Sequence, residues 1–391
     1  YYKNALGGRL GESQQQYLAG ALTFTPTEDI SIRVRYSDRH DVDGPAATTL
    51  IARYPTYNCG PFPGFTTRPL GGLDPTIFPT VASTRRVYCG ELRAPNGPIS
   101  VNVTTPAAST GRIPFLKHQT KIDHKLAAMT ADWNINGYTL TAIASTQDQF
   151  VEGLRDFELA PEDRYQFYYY NDQTQVTYEV RLTSPAEQRL SWMVGLSRLE
   201  NDFTVVGGFI NGALFGAGAG GPTPAGLAPI PSASNTDALF ASVGFDITDA
   251  LNISVEARRQ KDEQISAAGL PNEFAVETTA TLPRVLLKYE LNSETNLFAN
   301  YAKGNQPTQG YATFFQLSPA QQAIASANGV NPLAPEAEVV NYEIGIKHRE
   351  DDGRWYANAS LYYLKWTGRQ GVRTVQVDLN GDGIITNLPA P

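Results

Sequence analysis

The sequence predicts an all-β chain: part of an antiparallel transmembrane β-barrel, about 12 strands of a larger one, with long extracellular loops. Three observations carry that prediction. Apolar and polar side chains alternate with period two in segment after segment, the segments pair through very short polar turns, and long irregular stretches separate one pair from the next. Strands of about ten residues with short turns on one side and long loops on the other are what a bilayer-crossing barrel needs. Lipid offers no hydrogen bonds, so strands cross it only as a closed ladder.

Composition sets the frame. With 391 residues, 41% hydrophobic, 18% charged and 10% aromatic, the chain is neither collagen-like, low-complexity nor a coiled coil. No apolar run approaches the roughly 18 residues of a spanning helix, and the mean hydropathy is -0.29. A barrel gives such a value when every second residue faces water. The 20 Tyr and 17 Phe against 2 Met favour pleated strands, on which aromatic side chains pack well. A net charge of -8 without any Lys/Arg run argues against nucleic acid as a partner.

Taken in chain order, the first hairpin turns at Pro26-Thr27-Glu28-Asp29 into Ile30, Ile32, Val34 and Tyr36, which alternate with Ser31, Arg33, Arg35 and Ser37. A second turns at Asn134-Ile135-Asn136-Gly137. Val176, Tyr178, Val180 and Leu182 alternate with Thr177, Glu179, Arg181 and Thr183 before the turn Ser184-Pro185-Ala186-Glu187. Thr248-Asp249 precedes Leu251, Ile253, Val255 and Ala257, set against Asn252, Ser254, Glu256 and Arg258. Asn292-Ser293-Glu294 makes the fifth turn. Val340, Tyr342, Ile344 and Ile346, against Asn341, Glu343 and Lys347, lead to the sixth at Glu350-Asp351-Asp352-Gly353, and Trp355 to Tyr363 alternate after it. Asn, Asp, Gly and Pro supply the backbone chemistry of these turns. The long connections run from Asp41 to about Thr120, Val151 to about Asp172, Thr204 to about Asn235, Ser266 to about Glu277 and Asn305 to about Ala337. Alternation alone also suits a soluble β-sandwich; the loop asymmetry favours the membrane.

Several stretches resemble TonB-dependent outer-membrane receptors. Tyr17-Leu18-Ala19-Gly20-Ala21-Leu22-Thr23-Phe24-Thr25-Pro26 through Tyr36 looks like one of that family's barrel hairpins. Asn296-Leu297-Phe298-Ala299-Asn300-Tyr301-Ala302-Lys303-Gly304 is similar to its strand ending in Tyr-Ala-x-Gly, and Pro335-Glu336 followed by Asn341-Tyr342-Glu343-Ile344-Gly345-Ile346-Lys347 resembles a recurrent strand of the family. Tyr356 to Tyr363 fits its partner.

The resemblance implies a barrel of about 22 strands around an N-terminal plug, preceded by a segment that couples to the inner-membrane TonB complex. Neither plug nor coupling segment is recognisable in residues 1–391, so the chain is read as the middle of a barrel, a truncated piece. The implied function is uptake of a scarce, bulky nutrient (a ferric siderophore, cobalamin or an oligosaccharide) through the bacterial outer membrane, with outer-membrane lipid and the TonB complex as partners, no cofactor and no enzymatic activity. A passive porin-like channel and a soluble secreted glycan-binding β-protein are the alternatives.

Candidate site residues follow from their types. The charges Arg33, Arg35, Glu179, Arg181, Glu256, Arg258 and Glu343 alternate with lipid-facing side chains and are expected to face the lumen. The run Tyr165, Phe167, Tyr168, Tyr169, Tyr170 is a candidate for stacking on a substrate ring, with an interfacial aromatic girdle as the competing reading. Cys59 and Cys89 flank a Gly/Pro-rich stretch and are expected to form a disulfide in an oxidising compartment, worth about 3 to 4 kcal/mol in the chain-entropy picture. Asp378, Asn380 and Asp382 have the first half of a calcium loop, but the twelfth position is Pro389, where a bidentate acid is needed.

Three further patterns carry less. Gly216 to Gly221 matches a dinucleotide fingerprint in form yet runs into Pro222, where the fingerprint needs a helix. Ser37, His40 and Asp41 are triad residue types without an identifiable oxyanion hole, and His118, His124 and His348 have no ligand spacing. Ser318-Pro319 through Ala327, with Gly329 beyond, predicts a capped helix within an extracellular loop.

Overall fold

A computed structural model describes residues 2–3, 8–47, 58–61, 86–88, 118–156, 166–185, 188–210, 229–271, 273–315, 317–350, 353–371, 373–383 and 385–390. Twelve strands build one sheet: β1 (Ser13–Thr27), β2 (Ile30–Asp43), β3 (Gln119–Ile135), β4 (Tyr138–Asp156), β5 (Gln166–Thr183), β6 (Leu190–Ile210), β7 (Ile230–Asp246), β8 (Leu251–Ser266), β9 (Phe274–Asn292), β10 (Thr295–Gln306), β11 (Ala337–Arg349) and β12 (Tyr356–Thr367). Each pairs antiparallel with its neighbours in this order, and β1 and β12 form the two ends, so the wall is an arc of a barrel. A single continuous sheet replaces the two packed sheets that a sandwich would require.

All six expected hairpins pair strand to strand, and the chemistry of several turns is visible. Asn136 and Gly137 both have positive φ, at 51° and 86°, which is the backbone of a two-residue hairpin. Ser184 Oγ accepts from the Trp192 N–H at 2.9 Å, Thr248 Oγ1 from the Leu251 N–H at 3.0 Å, and Asn292 Oδ1 from the Glu294 N–H at 3.0 Å.

The strands are longer than expected. They run from 12 residues in β10 and β12 to 21 in β6, and the extra length lies at the ends away from the short turns. Three of the long connections shrink accordingly, to 157–165 between β4 and β5, 211–229 between β6 and β7, and 267–273 between β8 and β9.

The reason lies on the outer face. Starting from the short turn, β6 presents Leu190, Trp192, Val194 and Leu196, then Arg198, Glu200 and Asp202; β8 presents Leu251, Ile253, Val255 and Ala257, then Arg259, Lys261 and Glu263. Four apolar residues give way to charge while backbone pairing continues. Two-residue alternation of hydrophobicity stops there and the ladder does not.

The apolar band is open, with Leu196 61% and Leu361 72% exposed, as suits hydrocarbon rather than water. The charged collar above it holds exposed ion pairs: Arg198 Nε to Glu200 at 2.6 Å, Arg198 Nη1 to Asp237 at 3.2 Å, and Lys261 Nζ to Glu277 at 2.6 Å. Exposed pairs of this kind contribute only about 0–1 kcal/mol each; their meaning is that this height of the wall meets water.

The rim is stepped, because β10 to β12 end lower than β3 to β9. Over the low side sits a small body with its own core. The connection between β10 and β11 carries α1 (Ala312–Phe315) and α2 (Pro319–Ala327), and the chain after β12 forms the hairpin β13 (Arg373–Val377) with β14 (Thr386–Ala390). Phe314, Ala325 and Val330 from the first pack with Val377, Leu379 and Leu388 from the second.

Polar contacts seal the two segments. Arg373 Nη2 donates to the Gly329 carbonyl at 2.9 Å, Gln321 Nε2 to Asn380 Oδ1 at 3.1 Å, and Gln370 Nε2 to the carbonyls of Pro307 and Pro335, both at 2.8 Å. Phe315 stacks on Phe274 at the top of β9, ring centroids 3.7 Å apart, tying the cap to the high rim. The expected helix is present, with Ser318 and Gln321 making a reciprocal capping box and Pro319 in the first turn.

Candidate functional site

The face opposite the apolar band is the candidate site, and it divides by height into three tiers. Directly opposed residues in an antiparallel pair share a face, so the register sorts every side chain. All seven charges singled out from the sequence fall on this face. They make the lowest tier. Arg181 Nη1 meets Glu179 at 3.1 Å and Glu256 meets Arg284 Nη1 at 3.4 Å, while Arg258 donates to Gln260 Oε1 at 2.8 Å and Ser197 Oγ at 3.3 Å. Arg33, Arg35 and Glu343 have no ion-pair partner among the described residues.

The middle tier is rich in amides and, on β4 to β8, carries one ionisable residue, Asp262. Across β4, β5, β6, β7 and β8, the residues Gln147, Gln175, Asn201, Ser234 and Gln264 oppose one another in unbroken succession. The row above it reads Gln149, Gln173, Phe203, Ser232, Ser266, and the row below Ser145, Thr177, Leu199, Thr236, Asp262. Gln173 Nε2 donates to Asn201 Oδ1 at 2.6 Å and Asn201 Nδ2 to Ser234 Oγ at 3.4 Å. Buried Asp262 accepts from Thr236 Oγ1 at 2.7 Å and Gln260 Nε2 at 2.8 Å. Sequence reasoning missed this tier. Alternate polar positions were legible on each strand, but the row exists only once the register is known.

The top tier is aromatic. Of the candidate run, Phe167 and Tyr169 lie on the polar face and Tyr168 and Tyr170 on the outer one; Tyr165 lies outside the described residues. Tyr169 is fixed by Thr120 Oγ1 at 2.9 Å and Arg155 Nη2 at 2.8 Å, and its ring lies over Gly153, where an added Cβ would come within 2.5 Å of it. Phe167 stacks beside it, centroids 6.2 Å apart. The Tyr168 hydroxyl instead donates to buried Glu152 at 2.7 Å. One expected cluster is two, because a strand sends successive side chains to opposite faces.

The remaining candidates separate as follows. Asp378 Oδ1 accepts the backbone N–H groups of Asn380, Gly381 and Asp382, and Oδ2 that of Gly383. Those donors, Gly383 first, hold its carboxyl below the ordinary range. These bonds close the turn on Asp378, and among the described residues no group of three or more His, Cys, Asp or Glu is placed to hold a metal ion. Cys59 lies in a short strand, Asn58–Pro61, whose backbone pairs with Arg86–Tyr88; its side chain and Cys89 lie outside the described residues, and the disulfide with them.

Ser37 and Asp41 face the polar side, whereas His40 faces outward, its Nδ1 2.5 Å from Asp123 Oδ1, so no triad assembles. His348 is likewise occupied, with Nδ1 2.9 Å from Thr295 Oγ1 and its ring against Trp355.

Comparison with known proteins follows the same architecture. Residues 78–390 match the family described as TonB dependent receptor-like, beta-barrel. No curated protein matches the sequence. Among solved structures, the ferric yersiniabactin uptake receptor of Yersinia pestis aligns with a TM-score of 0.61 at 11% identity over 96% of this chain and 50% of its own. The pyoverdine outer membrane receptor of Pseudomonas aeruginosa, bound to pyoverdine, aligns with 0.61 at 15% identity over 97% and 50%, and the alcaligin outer membrane receptor of Bordetella pertussis with 0.54 at 11% over 97% and 48%. The chain thus spans about half the length of the structures it resembles.

Proposed function

Because this chain belongs to the TonB-dependent receptor β-barrel family, we propose that it is the wall of an outer-membrane receptor taking up a scarce, bulky nutrient, a ferric siderophore, cobalamin or an oligosaccharide, with energy from the TonB complex. The observation that carries the reading is the layered polar face. A lowest tier with Arg33, Arg35 and Glu343 unpaired among the described residues suits contact with a plug. The amide and aromatic tiers above it suit capture of a ligand arriving from outside.

The wall's part in uptake is to bind and orient, and it breaks no bond. Ligand would meet Phe167 and Tyr169 first, exchange water for the amide rows, and pass the charged tier only when the plug moves. The capped low side narrows the mouth, so a large ligand is steered toward the high strands β4 to β8, where those rows lie.

Uptake of radiolabelled ferric siderophores, cobalamin and oligosaccharides by a strain lacking the gene tests the reading. Loss of one uptake activity, its return with the gene, and its absence in a TonB-deficient strain are expected. Uptake that persists without TonB, together with steady ion conductance in a planar bilayer, would point to a passive channel instead.

A further inference from the structure

We propose that the row Gln147, Gln175, Asn201, Ser234 and Gln264 is a binding site for a neutral oligosaccharide; the inference rests on the receptor reading above and names its substrate class. Five successive strands each place one amide or hydroxyl side chain on this row, at the strand spacing of about 4.8 Å, so the row extends roughly 19 Å. That step is about the length of one pyranose unit. A chain of sugar rings laid across the strands meets a fresh hydrogen-bonding group at each ring.

The chemistry of the row suits hydroxyls. A carboxamide both donates and accepts, as a sugar hydroxyl does. Gln147, Gln149, Gln175 and Gln264 have no hydrogen-bond partner among the described residues, whereas Gln173, Asn201 and Ser234 are bonded into a fixed chain. Some members are held in place and others are open to a ligand. Six residues further up β5 from Gln175, the Tyr169 ring is pinned by Thr120 and Arg155 and lies over Gly153, a rigid apolar surface for the C–H face of a sugar.

Charge argues against an anionic ligand. Within the three rows of the middle tier on β4 to β8 the one ionisable residue is Asp262, and no cation stands on them to compensate an approaching carboxylate or phosphate. An anion laid on these rows would gain no charge-assisted hydrogen bond and would lie beside the Asp262 carboxylate. Arg155, the nearest cation above, is engaged with the Tyr169 hydroxyl and ring.

The test uses the complete product of the gene, purified in detergent, on an array of neutral and acidic oligosaccharides, with a Gln175→Ala/Asn201→Ala double variant and a Gln264→Ala variant in parallel. Heat-modifiable migration on a gel establishes that each is folded, and Gln264→Ala, which breaks no internal hydrogen bond, keeps the test valid if the double variant fails that check. Retention of neutral glycans, weakened about tenfold or more in the variants, is expected. A blank array, retention of acidic glycans alone, or neutral binding unchanged in the folded variants overturns the proposal. A ferric siderophore that binds all three proteins equally while the array is blank would leave the receptor reading standing and remove this one.

Discussion

Gly345 shows why two family-like stretches, some forty residues apart, occur together. The Phe298 ring lies over this glycine from the adjacent strand, an added Cβ would come within 2.4 Å of the ring, and Lys347 Nζ sits 5.4 Å from the ring centroid. Glycine, aromatic and lysine form one unit in which the ring covers backbone that has no side chain of its own. Phe240 over Gly195 repeats the arrangement. Gly345→Ala is therefore expected to cost about 1–3 kcal/mol, read as a lower temperature of heat-modifiable unfolding, and Phe298→Ala alone less than the glycine change, since the methyl also approaches the Ala359 carbonyl at 2.8 Å.

The Asp378 turn gives a pH prediction at the same scale. Its pKa is depressed in the folded chain by backbone N–H groups, so the stabilisation is present above the unfolded value of about 4 and is lost as pH falls through the lower folded value. Amide protection at Asn380 to Gly383, taken relative to the intrinsic exchange rate at each pH, should be high near neutrality and fall on acidification below that range, and Asp378→Asn should remove this pH dependence.

At the level of elements, α2 was legible down to its cap, because Ser318, Pro319 and Gln321 are local signals. Ser318→Ala removes the hydroxyl that accepts the Gln321 N–H and should destabilise the cap by about 0.5–2 kcal/mol, seen as faster exchange in α2 with the barrel strands unaffected. What the helix packs against was not legible. Val377, Leu379 and Leu388 lie some fifty residues further on, in a stretch whose Asn, Asp and Gly read as a turn, and the apolar residues there have no period long enough to declare a face. The upper halves of the strands were missed for a related reason. On β6 the outer positions turn from Leu196 to Arg198, so hydrophobic alternation ends although each residue still has a cross-strand partner up to Ile210. Strand content is announced by what a strand is buried against, and here both sides of the wall meet water.

For the molecule as a whole, the two-zone outer face fixes where lipid ends. Arg at Val194, within the apolar band of β6, is expected to cost about 2–4 kcal/mol, and Arg at Thr204, on the same face above the collar, about 0–1 kcal/mol, measured as urea midpoints of the folded protein in bilayers. Equal costs at the two positions would mean that the collar is itself immersed. The six hairpins and the polarity of each face were readable from periodicity and turn residues, and the barrel class once the contrast between short turns and long loops was added. The amide rows and the split of the tyrosine run were not, since both depend on which residues oppose one another across strands.

The length of β6 has a consequence for energetics. Its 21 residues at about 3.3 Å each, inclined by some 40°, rise roughly 50 Å, against an apolar band of about 25 Å. On the high side of the stepped rim, about half of β6 stands in bulk water as a chimney wall, and the amide rows lie on that wall. A solute held there is surrounded by a high dielectric, so each bond to it competes with water and is weak alone; grip comes from many such bonds made together. Release then needs no large blow. Tilting the solute out of the row, or sliding it by half a strand spacing, breaks the whole row at once, after which it has a descent of some 25 Å still to make.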